Sequence, residues 1–179
     1  EVGYRIEEVA YTTNVKRYKE YKRKGLYDPE LVDSKGNVQP NDSELKGGAG
    51  TCYMMFIKCR IKNYSDTAKR IRASVPATGN YMKDGRYAYE GDNTYFTCSK
   101  KTEFDPDVIQ LNPGEEVTCV TGKLQFCNKK YWDIDKTDFY VRLCGRGDGI
   151  SDPDKLDPRA CVLGTEVNIL VKSSQIKKK

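Results

Sequence analysis

Thr51–Asn63 reads TCYMMFIKCRIKN, and its alternation decides the fold class. Tyr53, Met55, Ile57, Cys59 and Ile61 fall on one side of an extended chain, while Lys58, Arg60 and Lys62 fall on the other. Successive side chains of a strand point to opposite faces, so this is the pattern of a half-buried strand. It runs into Asn63-Tyr64-Ser65-Asp66, whose short polar side chains favour a turn by bonding to nearby backbone.

The same grammar recurs. Residues 137–144 oppose Phe139, Val141 and Leu143 to Asp138, Tyr140 and Arg142, and residues 166–172 repeat it through Val167, Ile169 and Val171. Three strands with one wet face each point to an antiparallel sheet. Further strands are predicted at 70–75, 86–98, 108–111 and 115–126. The last changes parity between Cys119 and Leu124, which predicts a bulge near Gly122. A first strand through Tyr4, Ile6, Val9 and Tyr11 carries a similar slip. About eight short strands separated by Gly, Pro, Asn and Asp turns describe an all-β sandwich or barrel, here one domain over residues 1–172. Two segments depart from this. Residues 13–24 place Val15, Tyr18 and Tyr21 at helical spacing among basic residues, a candidate short amphipathic helix, and residues 25–50 read as a long, partly mobile insertion. Residues 173–179 read as a frayed, disordered basic tail.

With 179 residues the chain fits one large domain, and its thirteen tyrosines favour strands over disorder. The net charge of +5 is unevenly spread: Lys16, Arg17, Lys19, Lys22, Arg23 and Lys24 cluster around a single acid, and Lys177, Lys178 and Lys179 add to it. The rest is slightly acidic, so no nucleic-acid-binding face is predicted. The chain starts at Glu1 and contains no membrane-spanning apolar run, from which a removed secretion signal is expected. Seven cysteines suit an oxidising compartment, although buried thiols of a reduced protein are the competing reading. Cys144 and Cys161 end one strand and precede the next, which predicts a disulfide between them. Cys59, on the apolar face of its strand, is the candidate free thiol.

The absence of histidine removes the usual general base of Ser and Cys hydrolases and the commonest zinc ligand. No Gly-x-Ser-x-Gly, Walker loop, dinucleotide glycine pattern or Cys-x-x-Cys is present, so neither an enzyme, a cofactor nor a metal is predicted. Carboxylates such as Asp105 with Asp107, or Asp133 with Asp135, leave glycosidase chemistry as a remote alternative to solvated turns. Candidate binding residues are few. Trp132 beside Tyr131 is the first aromatic pair, in a predicted loop. The cations from Lys16 to Lys24, with Tyr18 and Tyr21, could lie on anionic lipid or a cell-wall polymer. Arg146-Gly147-Asp148 is a tripeptide that host integrins read, or an ordinary turn. Tyr81, Tyr87, Tyr89 and Tyr95 form either a contact platform for glycan or protein or plain strand residues.

The pairing of a strand closing in Lys62-Asn63-Tyr64-Ser65-Asp66 with Leu111-Asn112-Pro113-Gly114-Glu115-Glu116 opening a later strand resembles the uncharacterised immunoglobulin-like domains that Gram-positive bacteria export, commonly as lipoproteins. The resemblance covers about residues 51–172. It implies an immunoglobulin-like antiparallel sandwich and an extracellular, membrane-tethered location. The role implied is a non-enzymatic binding or accessory module with a protein or glycan ligand, or a structural spacer.

Overall fold

A computed structural model describes residues 2–39, 50–74, 77–90, 93–102, 106–144 and 166–179. The described chain is all-β. Its strands are β1 (Val2–Thr12), β2 (Thr51–Asn63), β3 (Lys69–Arg72), β4 (Ala77–Tyr81), β5 (Tyr87–Glu90), β6 (Tyr95–Cys98), β7 (Val108–Leu111), β8 (Glu116–Cys127), β9 (Phe139–Cys144), β10 (Glu166–Val171) and β11 (Ile176–Lys178). They form a five-stranded sheet ordered β11-β1-β2-β8-β6, a four-stranded sheet ordered β10-β9-β4-β5, and the pair β3-β7. All pairings are antiparallel except β1 with β11.

The alternating residues of β2 sit where their periodicity requires. Met55, Ile57, Cys59 and Ile61 are buried in a core shared with Val9 and Tyr11 of β1, Ile109 and Leu111 of β7, and Phe139 and Val141 of β9. The slip in the first strand is a bulge at Glu7, between the pairs Ile6 with Cys59 and Glu8 with Lys58.

The opposite face of β2 is wet only towards its C-terminal end. Met54 and Phe56 are fully buried beneath Val15, Tyr18, Leu26, Leu31, Val32 and Val38. These residues come from the segment expected to be a helix and a mobile loop. Residues 15–39 instead form short 3-10 turns, Val15–Arg17, Arg23–Gly25 and Pro29–Leu31, with no α-helix. Asn14 and Asp28 cap two of them by accepting from the N–H groups of Lys16 and Glu30. The three-residue spacing of Val15, Tyr18 and Tyr21 serves a tight turn as well as a helix, and Gly25 and Pro29 prevent a longer run. Residues 40–49 lie outside the described residues.

This cover also removes the expected bulge at Gly122. Pairing of β2 with β8 keeps one register from Thr51 with Cys127 to Lys62 with Glu116. Apolar residues change parity because Val117 and Cys119 face the shared core whereas Val120 and Leu124 face the cover. Gly122 answers a close approach: a Cβ there would stand 2.6 Å from the Cβ of Tyr95. The predicted strand 86–98 is two strands, β5 and β6, in different sheets.

The tail expected to be disordered is ordered through β11, which pairs parallel with Val9–Tyr11. Lys177 reaches Glu8 at 2.6 Å and Asp138 accepts from the Ser173 N–H at 2.7 Å. The two turns singled out in the sequence meet. Asn63 donates from its backbone to the Glu115 carbonyl, accepts from the Gly114 N–H, and donates from Nδ2 to the carbonyls of Thr67 and Leu111. Gly114 takes the φ of 74° that a side chain would resist.

Candidate binding groove

Strand pairing in the four-stranded sheet collects aromatic side chains on the face turned away from the core. Phe139 and Val141 point inward, so Tyr140 between them points outward. Register sets Leu170 opposite Tyr140 on one side and Gly79 on the other, while Tyr81 pairs with Tyr87. Gly79 gives the Tyr87 ring its room, because a Cβ there would run into the Tyr87 hydroxyl and stand 2.9 Å from the Ala88 carbonyl oxygen. Tyr81 meets Tyr87 at 5.3 Å between ring centroids and Tyr140 edge-on at 6.2 Å.

Beside these rings lies a groove of about 470 Å³, lined by Tyr81, Tyr140 and Leu170, by Lys83 and Lys172, and by Trp132, Asp133 and residues 136–138. Tyr81 and Leu170 are each more than a third exposed, so their apolar faces are available. The rim is charged. Lys83, Lys136 and Lys172 stand against Asp133 and Asp138, with Lys172 bonded to Asp138 at 2.9 Å. The Ser173 backbone N–H, followed by Lys172, holds the Asp138 carboxyl below the usual carboxylate range. An apolar floor with a few convergent polar groups is the composition of a ligand site.

Trp132 lies in the loop between β8 and β9, as expected, but its ring is turned inward and not displayed. It is buried, packs edge-on against Phe139 at 5.6 Å, and contributes one wall of the groove. Tyr131 is exposed outside the groove, with the Lys130 ammonium 5.3 Å from its ring centroid. The sequence reading missed Tyr140 because it occupied the polar side of an alternating strand. Its partnership with Tyr81 appears only once β9 is paired with β4.

Lys16, Arg17, Lys19, Lys22, Arg23 and Lys24 are all exposed on the cover. Tyr18 and Tyr21, expected to share a binding face with them, are committed to the sheet: Tyr18 stacks on Phe56 at 4.2 Å and Tyr21 on Tyr95 at 5.5 Å. Tyr95 therefore belongs to the cover interface and not to the tyrosine platform. Asp107 is buried and bonded to Arg72 and Ser74. Asp133 accepts from the Asp135 N–H, and Asp135 accepts from the Tyr11 hydroxyl, which lowers the Asp135 pKa. Arg146, Gly147, Asp148, Asp105 and the expected bridge from Cys144 to Cys161 lie outside the described residues. Cys59 is a free, buried thiol. Comparison of the chain with protein-family models, with curated proteins and with solved structures finds no match.

Proposed function

We propose that the chain is a non-enzymatic, extracytoplasmic binding module of a bacterial cell surface that holds a glycan against the Tyr81, Tyr140 and Leu170 groove. The observation that carries this reading is the convergence of the exposed Tyr81 and Leu170 with the half-buried Tyr140 beside a charged rim. Aromatic faces take the C–H surface of a sugar ring, and lysine and carboxylate groups at the edge bond its hydroxyls. The absence of histidine supports binding over hydrolysis. The contact between the Asn63 and Gly114 turns supports an immunoglobulin-like sandwich of the exported lipoprotein kind, since it joins the two motifs that carry that resemblance. The exposed cations from Lys16 to Lys24 supply a second contact, to anionic lipid or a cell-wall polymer.

A glycan array followed by titration calorimetry tests the reading, with Tyr140→Ala and Tyr81→Ala as variants. Truncating a central aromatic anchor is expected to weaken binding by tenfold or more. Binding that survives both substitutions would move the site elsewhere, and no glycan binding at high concentration would leave the chain a structural spacer.

A further inference from the structure

Three cysteines share one row of the five-stranded sheet. Cys59 on β2 pairs with Cys119 on β8, which pairs in turn with Cys98 on β6. The two pairs are not equivalent. The Ser99 N–H donates to the Thr118 carbonyl, which makes Ser99 with Thr118 a hydrogen-bonded pair and, by alternation, Cys98 with Cys119 a non-hydrogen-bonded one. The Asn63 N–H donates to the Glu115 carbonyl, and the same alternation makes Cys59 with Cys119 hydrogen-bonded. Non-hydrogen-bonded partners stand about 4.5 Å apart at Cα and hold their side chains closer than the other kind. That separation lies within the range of about 4.4–6.8 Å that a disulfide spans.

Access separates the two thiols. Cys119 is fully buried, as is Cys59, whereas Cys98 is half-buried and lines a cleft of about 330 Å³ with Lys24, Lys100 and Lys101. A hydrogen bond from Cys119, helped by the backbone of Lys100 and Ser99 and by the Lys100 charge, draws the Cys98 thiol down to about 7. The same hydrogen bond and burial push the Cys119 thiol upward. One thiol is thus reachable and the more readily ionised of the two, and its neighbour stands behind it as a protonated reserve.

We propose that Cys98 and Cys119 form a thiol–disulfide exchange site, with Cys98 attacking low-molecular-weight disulfides that enter the lysine-lined cleft and Cys119 resolving the product. The Cys98 thiolate bonds to one sulfur of the incoming disulfide and expels the other half as a thiolate. Cys119 then loses its proton and attacks the Cys98 sulfur, forming the cross-strand bridge and expelling the second thiolate. The protein is oxidised by two electrons, and one small disulfide is reduced to two thiols. The cleft lysines favour anionic disulfides over neutral ones.

The test exposes the reduced, folded chain to oxidised glutathione at pH 7, quenches with acid, alkylates and maps the peptides. The wild type is expected to yield a linked Cys98–Cys119 peptide with Cys59 still alkylatable. Cys119→Ser is expected to stop at one glutathione on Cys98, and Cys98→Ser to slow reaction at Cys119 by tenfold or more. A bridge through Cys59, an unchanged rate in Cys98→Ser, or a wild type that stops at a single glutathione would overturn the proposal. Alkylation of wild-type Cys98 as a function of pH needs no variant. Its midpoint is expected near 7, and one at the ordinary value of 9.0 would remove the attacking thiolate.

Discussion

The two faces of the five-stranded sheet each bury a core, and the two cores are differently made. One is closed by a second sheet, so that strand meets strand and alternation governs both partners. The other is closed by residues 15–39, which hold 3-10 turns and isolated bridges and bury Val15, Tyr18, Leu26, Leu31, Val32 and Val38. Periodicity therefore states which side of a strand is apolar against its partner sheet. It is silent about a cover whose own side chains follow turn chemistry.

If the cover is a full half of the core, substitutions on the two faces should cost alike. Phe56 faces the cover and Ile57 faces the second sheet, and both are fully buried. Phe56→Ala is expected to lose about 3–5 kcal/mol, and Ile57→Ala about 2–5 kcal/mol, in denaturant unfolding. Phe56 also anchors the stack of Tyr18 and the edge contact of Tyr95 at 5.3 Å, which the change would abolish together. A loss below about 1 kcal/mol for Phe56→Ala beside a full loss for Ile57→Ala would reduce the cover to an appendage.

Legibility follows the same division. The bounds of β2 and the bulge near Glu7 were readable because alternation and its interruption are local properties of extended chain. The parity change at Gly122 was visible but its cause was not, since a bulge and a second buried face leave the same trace in one strand. The tyrosine groove was half legible: Tyr81 and Tyr87 stood out by composition, whereas Tyr140 and Leu170 required the register of three strands. The cysteine row was hidden for the same reason. Cys59, Cys98 and Cys119 are far apart in sequence, and only pairing sets them in line.

A smaller effect sharpens the contrast in packing quality. The ring of Tyr18 lies parallel to Phe56, with 7° between the planes, but its buried hydroxyl has no hydrogen-bond partner among the described residues. Desolvating a hydroxyl without a replacement bond is unfavourable, while removing it leaves the stack intact. Tyr18→Phe is accordingly expected to leave stability unchanged or to raise it by up to about 1 kcal/mol, measured by the same unfolding curves. A loss of that size instead would mean that the hydroxyl is bonded in solution.

The smallest effect is local and titrates. Asp33 ties the far loop of the cover by accepting from the Asn37 backbone N–H at 2.8 Å and from Asn37 Nδ2 at 2.9 Å. The side-chain bond and then the backbone bond lower its pKa from the ordinary 3.8. A carboxyl whose folded value is depressed contributes above its unfolded value and loses that contribution as pH falls through the folded one. The cover should therefore loosen at its Asp33 turn below pH 3.8 while the face against the second sheet is untouched. In nuclear magnetic resonance titrations the Asn37 amide signals are expected to shift with a midpoint below 3.8, and Asp33→Asn to abolish the transition. Amides of Ile57 and Val141 should not follow it. A midpoint at or above 3.8, or a concerted shift of those two amides, would mean that the turn does not hold the cover independently of the core.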